Sequence, residues 1–172
     1  MKPVVFLDFD GVLNHHDMLK RWMKRTGNND AIDIYSARAL QKILDLSGAD
    51  VVISSTWRIY YTDEELKTML ARRGAPRVNI IGRTPRTMDM HRGHEISDWL
   101  ERNFEDTGKR VSFVILDDDE SVGDFPNLKP HWLQTYYYEP SGGLRSYHVP
   151  TALDFLGIQH QLRTRRLKKK EK

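Results

Sequence analysis

No cysteine occurs among the 172 residues. This excludes disulfides, a thiol nucleophile and a thiolate zinc site, and it accords with a reducing compartment. Long apolar runs are missing as well. None reaches the ~20 residues that a membrane-spanning helix requires. The N-terminus opens without the basic stretch and apolar core of a secretion signal, and no segment repeats. One α/β domain over residues 1–160, without membrane contact and placed in the cytoplasm, is the resulting expectation.

Excess positive charge is nearly confined to one end. Residues 163–172 carry seven basic side chains and one acid, a net +6, so residues 1–162 stand at −3 although the whole chain is +3. A run of this kind is usually solvated and without fixed structure, and residues 161–172 are expected to form such a tail. Its alternative use is a counterion-releasing contact with nucleic acid.

The chain otherwise alternates short apolar runs with helical patterns. Strands are predicted at 3–8, 51–53, 78–81 and 111–116, with a weaker one at Gln134–Tyr138. Helices are predicted over 36–47, closing at Gly48, from the capping box Thr62-Asp63-Glu64-Glu65 to about Gly74, and over 93–104. Strands separated by helices predict a Rossmann-like, doubly wound and mostly parallel sheet with helices on both faces. Ligands of such sheets lie beyond the carboxyl ends of the strands.

Those ends carry chemistry. Val4–Leu7 delivers Asp8 and Asp10, followed by Gly11. Strand alternation, continued to its end, would put both carboxylates on one side. Val51–Ile53 delivers Ser54, Ser55 and Thr56, then Trp57 and Arg58, and Val114–Leu116 delivers Asp117, Asp118 and Asp119. Arg92 precedes a helix start. Hard oxygen ligands, a nucleophile and cationic donors are the parts that Mg²⁺-assisted phosphoryl chemistry requires. Capping and turn formation offer the competing account of Asp-x-Asp and of the Ser-Ser-Thr run. Arg83 and Arg86 compete with Arg92 as the cation, whereas Lys109 and Arg110 precede the fourth strand, away from the site end. Asp119 reads as a loop residue. His91 and His94 are three apart with no third ligand near them, so a transition-metal site is not expected. Trp57 and the Tyr136–Tyr138 run read as packing residues, the tyrosines on both faces of a strand.

The motifs, taken in order, resemble the haloacid dehalogenase (HAD) phosphohydrolase superfamily. Asp8-Phe9-Asp10-Gly11-Val12-Leu13 stands as its first motif, with Val12 where Thr is commoner. Ser54 stands as the second, Arg92 as the lone cation of the third, and Asp117-Asp118 as the fourth. More narrowly, Asp-Phe-Asp-Gly-Val-Leu-Asn, Ser-Ser-Thr-Trp-Arg, Arg-Gly-His-Glu-Ile and Gly142-Gly143-Leu144 resemble HAD domains of nucleic-acid repair proteins.

The resemblance implies a phosphatase in which Asp8 attacks phosphorus and Asp10 moves the proton. Asp8, Asp10 through its backbone carbonyl, and Asp117 would hold Mg²⁺, with Asp118 completing the shell. Ser54, Arg58 and Arg92 would bind the phosphate or substrate. Residues 14–35 and 55–90 leave room for no large cap domain, which implies an open site able to admit RNA or DNA ends. A small-metabolite phosphatase and a non-catalytic nucleic-acid-binding module are the alternatives.

Overall fold

The computed structural model describes residues 2–28, 31–89, 91–104 and 111–158. The basic tail at 161–172, Lys109 and Arg110 lie outside them. Five parallel strands form one open sheet in the order β3-β2-β1-β4-β5: β1 (Val4–Leu7), β2 (Asp50–Ile53), β3 (Ile80–Arg83), β4 (Phe113–Asp117) and β5 (Trp132–Gln134). The helices are α1 (His16–Thr26), α2 (Ile34–Ser47), α3 (Asp63–Arg72), α4 (Arg92–Phe104) and α5 (Val149–Phe155). Among the described residues, no helix is long and apolar enough to cross a membrane.

The strands are apolar almost throughout because both faces are covered, as parallel sheets require. Val5, Leu7, Val51, Ile53, Val114 and Leu116 face a core built with residues of α2, α3 and α5. Val4, Phe6, Val52 and Ile115 face a smaller core with Ile96 and Trp99 of α4. There Phe6 meets the Trp99 ring edge-on at 5.4 Å. The helix starts follow their caps. Asp33 accepts from the Tyr35 N–H at the head of α2. Thr62 and Glu65 form the reciprocal capping box that opens α3, with Thr62 N donating to Glu65 Oε2 at 2.7 Å.

Two expectations change. The fifth strand occupies Trp132–Gln134, not Gln134–Tyr138. Its last printed pairing is Gln134 with Asp117, where β4 ends, so Tyr136–Tyr138 leave the sheet as a loop. Strand β1 stops at Leu7, so alternation along a strand does not bring Asp8 to Asp10. Asp10 is placed instead by a tight turn, in which the Leu13 N–H donates to Phe9 O at 2.7 Å. Between that turn and α2, α1 is the one regular element among the described residues, and no large cap interrupts the fold there.

Candidate active site

Parallel pairing sets Leu7 opposite both Ile53 and Leu116. Asp8, Ser54 and Asp117 therefore stand level on three adjacent strand ends. Backbone bonds from Asp8 N to Leu116 O and from Ser54 N to Leu7 O, both 3.0 Å, continue the ladder to that level. Two-residue alternation carries their side chains to the face of Phe6, Val52 and Ile115, which is the α4 face. Arg92, the first residue of α4, meets them there. Its Nε lies 2.9 Å from Asp117 Oδ2 and its Nη2 3.5 Å from Asp8 Oδ1.

Asp8 and Asp117 are buried. Burial raises the pKa of Asp8 above the usual carboxylate range, with Asp10 adding to the rise, while Arg92, a Ser55 hydrogen bond and the Phe9 backbone pull it down. Asp117 is raised further by burial and by the Asp8 charge. Burial and Asp8 push Asp118 up to about 7. Burial works against the charge of Arg92, yet Asp117, Asp8 and Glu95 hold its pKa above the ordinary guanidinium value.

Asp8, Asp117 and Asp118 each offer a carboxylate oxygen within 4.8 Å of the others. Asp117 Oδ1 accepts from the Asp119 N–H at 3.0 Å, but its Oδ2 has no directed hydrogen bond despite complete burial. Three hard oxygens in one small volume, their pKa values raised first by burial and then by neighbouring acids, form a donor set that fits a divalent cation. Gly11 is the residue the approach of Asp118 demands. Its φ is +76°, and a Cβ there would lie 2.2 Å from the Asp118 carboxyl.

Asp10 is held outside that acidic group. Its Oδ1 accepts from Asn14 Nδ2 at 2.8 Å and its Oδ2 from the Trp57 indole at 3.0 Å. Asn14 Oδ1 in turn accepts from Gly11 N. Trp57 stacks on Phe9 at 4.8 Å. Ser54 Oγ is fully buried without a hydrogen-bond partner, which leaves a donor free beside Asp8.

Arg58 differs from its expected role at the substrate. The short 3₁₀ turn Thr56–Ile59 directs it inward, where Nη1 donates to Ser54 O and Ser55 O at 2.5 and 2.7 Å. Its Nη2 meets Glu95 Oε1 at 2.7 Å. Glu95 also accepts from Arg92 Nη1 at 3.1 Å. The guanidinium of Arg58 thus braces the Ser54 loop, and Glu95 ties that loop to Arg92. Arg83 is engaged by Asp63, Arg58 O and Tyr61 O. Asp119 caps the next 3₁₀ turn by accepting from Ser121 N. His94 pairs with Asp89 at 2.6 Å.

Asn14, Trp57 and Glu95 are the site-building residues to which sequence reasoning assigned no such role. Each sat inside a motif quoted for the resemblance, which was the available signal. A family model described as the HAD domain in Swiss Army Knife RNA repair proteins matches residues 4–149. No curated protein and no solved structure matches the chain.

Proposed function

The chain belongs to the family of HAD domains in Swiss Army Knife RNA repair proteins, and on that premise we propose that it is a Mg²⁺-dependent phosphatase acting on terminal phosphates of nucleic acids in the cytoplasm. The observation that carries this reading is the level placement of Asp8, Ser54 and Asp117 on adjacent strand ends, with Arg92 against them.

In this reading the Asp8 carboxylate attacks phosphorus, forming an acyl-phosphate bond as the P–O bond to the leaving group breaks. Asp10 gives its proton to the departing oxygen. It then takes a proton from the water that cleaves the acyl phosphate, which returns Asp8 and releases inorganic phosphate. The Trp57 and Asn14 hydrogen bonds fix the direction in which Asp10 can do this. Ser54 Oγ and the Arg92 guanidinium bind equatorial phosphoryl oxygens, where charge is spread during transfer. Mg²⁺ held by Asp8, Asp117 and Asp118 would neutralise the carboxylates that otherwise repel a phosphate.

The nucleic-acid part rests on charge and access. The single helix α1 between the Asp8 turn and α2 leaves the site without a large cover, and α1 presents Lys20, Arg21, Lys24 and Arg25 to solvent. The opposed acidic balance of residues 1–162 makes this local basic face the natural path for a strand.

Phosphate release measured with and without Mg²⁺, for wild type and Asp8→Asn, tests the chemistry. Oligonucleotide terminal phosphates compared with mononucleotides and sugar phosphates test the substrate. Metal-dependent turnover lost in Asp8→Asn is expected, with the oligonucleotide preferred. Turnover that survives the substitution removes the mechanism, and a preference for sugar phosphates assigns the enzyme to small metabolites.

A further inference from the structure

Residues 135–143 follow β5 and wrap the turn that carries Asp10. His16 N donates to Tyr137 O at 2.9 Å, Gly143 N to Tyr136 O at 3.2 Å and Leu144 N to Val12 O at 2.7 Å. The wrap is close enough that a Cβ on Gly142 would fall 2.1 Å from the Tyr136 carbonyl oxygen. Arg145 fixes the returning chain, donating to Ser141 O at 3.0 Å and pairing with Asp33 at 2.5 Å. The loop is thus bonded to the first motif rather than free to swing.

This rigid loop exposes aromatic surface that the core does not use. Tyr136 is 47% exposed and Tyr138 79%. The Tyr138 ring is held edge-on by Tyr137 at 4.9 Å and lies 5.4 Å from the His16 ring. A cavity of about 380 Å³ extends from Asp118 past Gln134 and Thr135 to Tyr136, Tyr137 and Tyr138. Burial first, then the charge of Asp10, the neighbouring Tyr138 and the charge of Asp118, raise the Tyr137 hydroxyl pKa.

We propose that Tyr136–Tyr138 form an aromatic wall that stacks the nucleobase of the terminal nucleotide whose phosphate Asp8 attacks. The inference rests on the phosphatase reading above and names the leaving-group subsite. The cavity size suits a nucleoside. Its charged lining is Asp118, Glu120 and Glu139, which repels a second phosphate and admits a neutral base. Glu120, Glu139 and the Gln134 amide oxygen accept hydrogen bonds from exocyclic amines. Stacking on tyrosine is tolerant of sequence because every base offers a π face. The wall therefore recognises that a base is present, with little preference for which one.

The test compares phosphate release from a short oligoribonucleotide with release from the same strand ending in an abasic nucleotide. Wild type is expected to favour the base-bearing end by about tenfold, in KM more than kcat. Tyr138→Ala should bring that ratio near one, and Tyr138→Trp should keep it. Tyr138 is exposed and outside both cores, so its truncation leaves the cores intact and removes only its ring contacts with Tyr137 and His16. A wild-type ratio of one, or an undiminished ratio in Tyr138→Ala, overturns the wall while leaving the phosphatase reading in place. Absence of Mg²⁺-dependent release from both strands instead defeats that reading. Fluorescence anisotropy of the two strands on the full chain then decides the wall by the same ratios of Kd.

Discussion

The indole Nε1 of Trp57 donates a 3.0 Å hydrogen bond to Oδ2 of Asp10, linking the loop after β2 to the turn after β1. The ring is held by its stack on Phe9, so the donor is aimed by packing. A Trp57→Phe variant keeps an aromatic ring on Phe9 and removes the N–H together with part of the buried indole. Asp10 then keeps one of its two holders, Asn14. Loss of one net hydrogen bond should lower stability by about 1 kcal/mol, and the space left by the smaller ring in the core adds to that cost. Misdirecting a general acid should lower kcat by about tenfold, a fraction of the 10²–10⁴ that such catalysis supplies. Because the acid matters most for poor leaving groups, kcat should fall more for alkyl than for nitrophenyl phosphates. Equal losses on both would show that Trp57 does not act through Asp10.

Arg92 and Arg58 share Glu95 but should fail differently. Arg92→Ala removes the guanidinium beside Asp8 and Asp117, and loss of such a charge-stabilising donor should lower kcat/KM by about 10²–10³. The Ki of inorganic phosphate should rise with it. Arg58→Ala removes one of the two partners of buried Glu95 and the donors to Ser54 O and Ser55 O, leaving buried acceptors short at a cost of about 1–3 kcal/mol. Its signature is a lower Tm, with the Ki of phosphate moved less than in Arg92→Ala. Arg58→Ala weakening phosphate binding as much as Arg92→Ala would return Arg58 to the substrate.

The strand-end acids were legible because each follows an apolar run, and parallel pairing then sets them side by side. Arg92 was legible as a helix-start cation. Asn14, Trp57 and Glu95 were visible as letters in the motifs but not as partners. Trp57 meets Asp10 across 47 residues and Glu95 meets Arg58 across 37, and only the assembled sheet brings such positions together. Arg58 misled for a local reason, since a 3₁₀ turn decides whether a side chain after Ser-Ser-Thr points out or in. Tyr136–Tyr138 misled because aromatic residues favour strands. The strand ladder instead ends at Gln134, and the close wrap over the Asp10 turn claims the residues after it.

Proton linkage gives a test of the metal site that needs no turnover. Asp118 titrates at about 7 in the folded chain against 3.8 ordinarily. Between these values the folded state binds more protons than the unfolded state, so stability contributed by this group falls as pH rises. Asp8 and Asp117 act in the same direction. His15 and His148, both lowered by burial, act oppositely below their ordinary value of 6.5. The difference in Tm with and without Mg²⁺ isolates the acids. That difference should grow as pH rises from 5 to 8 and flatten in Asp118→Asn. A Mg²⁺ effect independent of pH would mean that the metal does not bind these carboxylates.

Gly11 connects backbone shape to metal affinity. With φ at +76° it occupies a region that costs an L-residue about 1–2 kcal/mol. The added methyl of Gly11→Ala would also fall 2.2 Å from the Asp118 carboxyl, so that carboxyl must move. Mg²⁺ affinity, read by calorimetry, should therefore fall by more than the change in Tm alone explains. Removing the clashing carboxyl in Gly11→Ala/Asp118→Ala should recover part of the lost Tm but not the affinity. Unaltered Mg²⁺ binding in Gly11→Ala would remove Asp118 from the metal shell.

Salt dependence separates the two basic segments. Each single-strand phosphate contact contributes about 0.7 to the slope of log K against log salt. Lys20, Arg21, Lys24 and Arg25 lie on α1, joined to the site through His15 and the Asp10 turn, and Arg25 and Arg73 both sit over the Trp22 ring at 5.0 and 4.6 Å. Lys20→Gln with Lys24→Gln should reduce the slope for a phosphorylated oligonucleotide by about 1 to 1.5. Deleting residues 161–172 removes more charge, and if that charge acts without a defined contact, affinity should fall for all strands alike, phosphorylated or not. If the deletion lowers the slope while the α1 pair leaves it unchanged, the strand follows the tail, and α1 is only a solvated face.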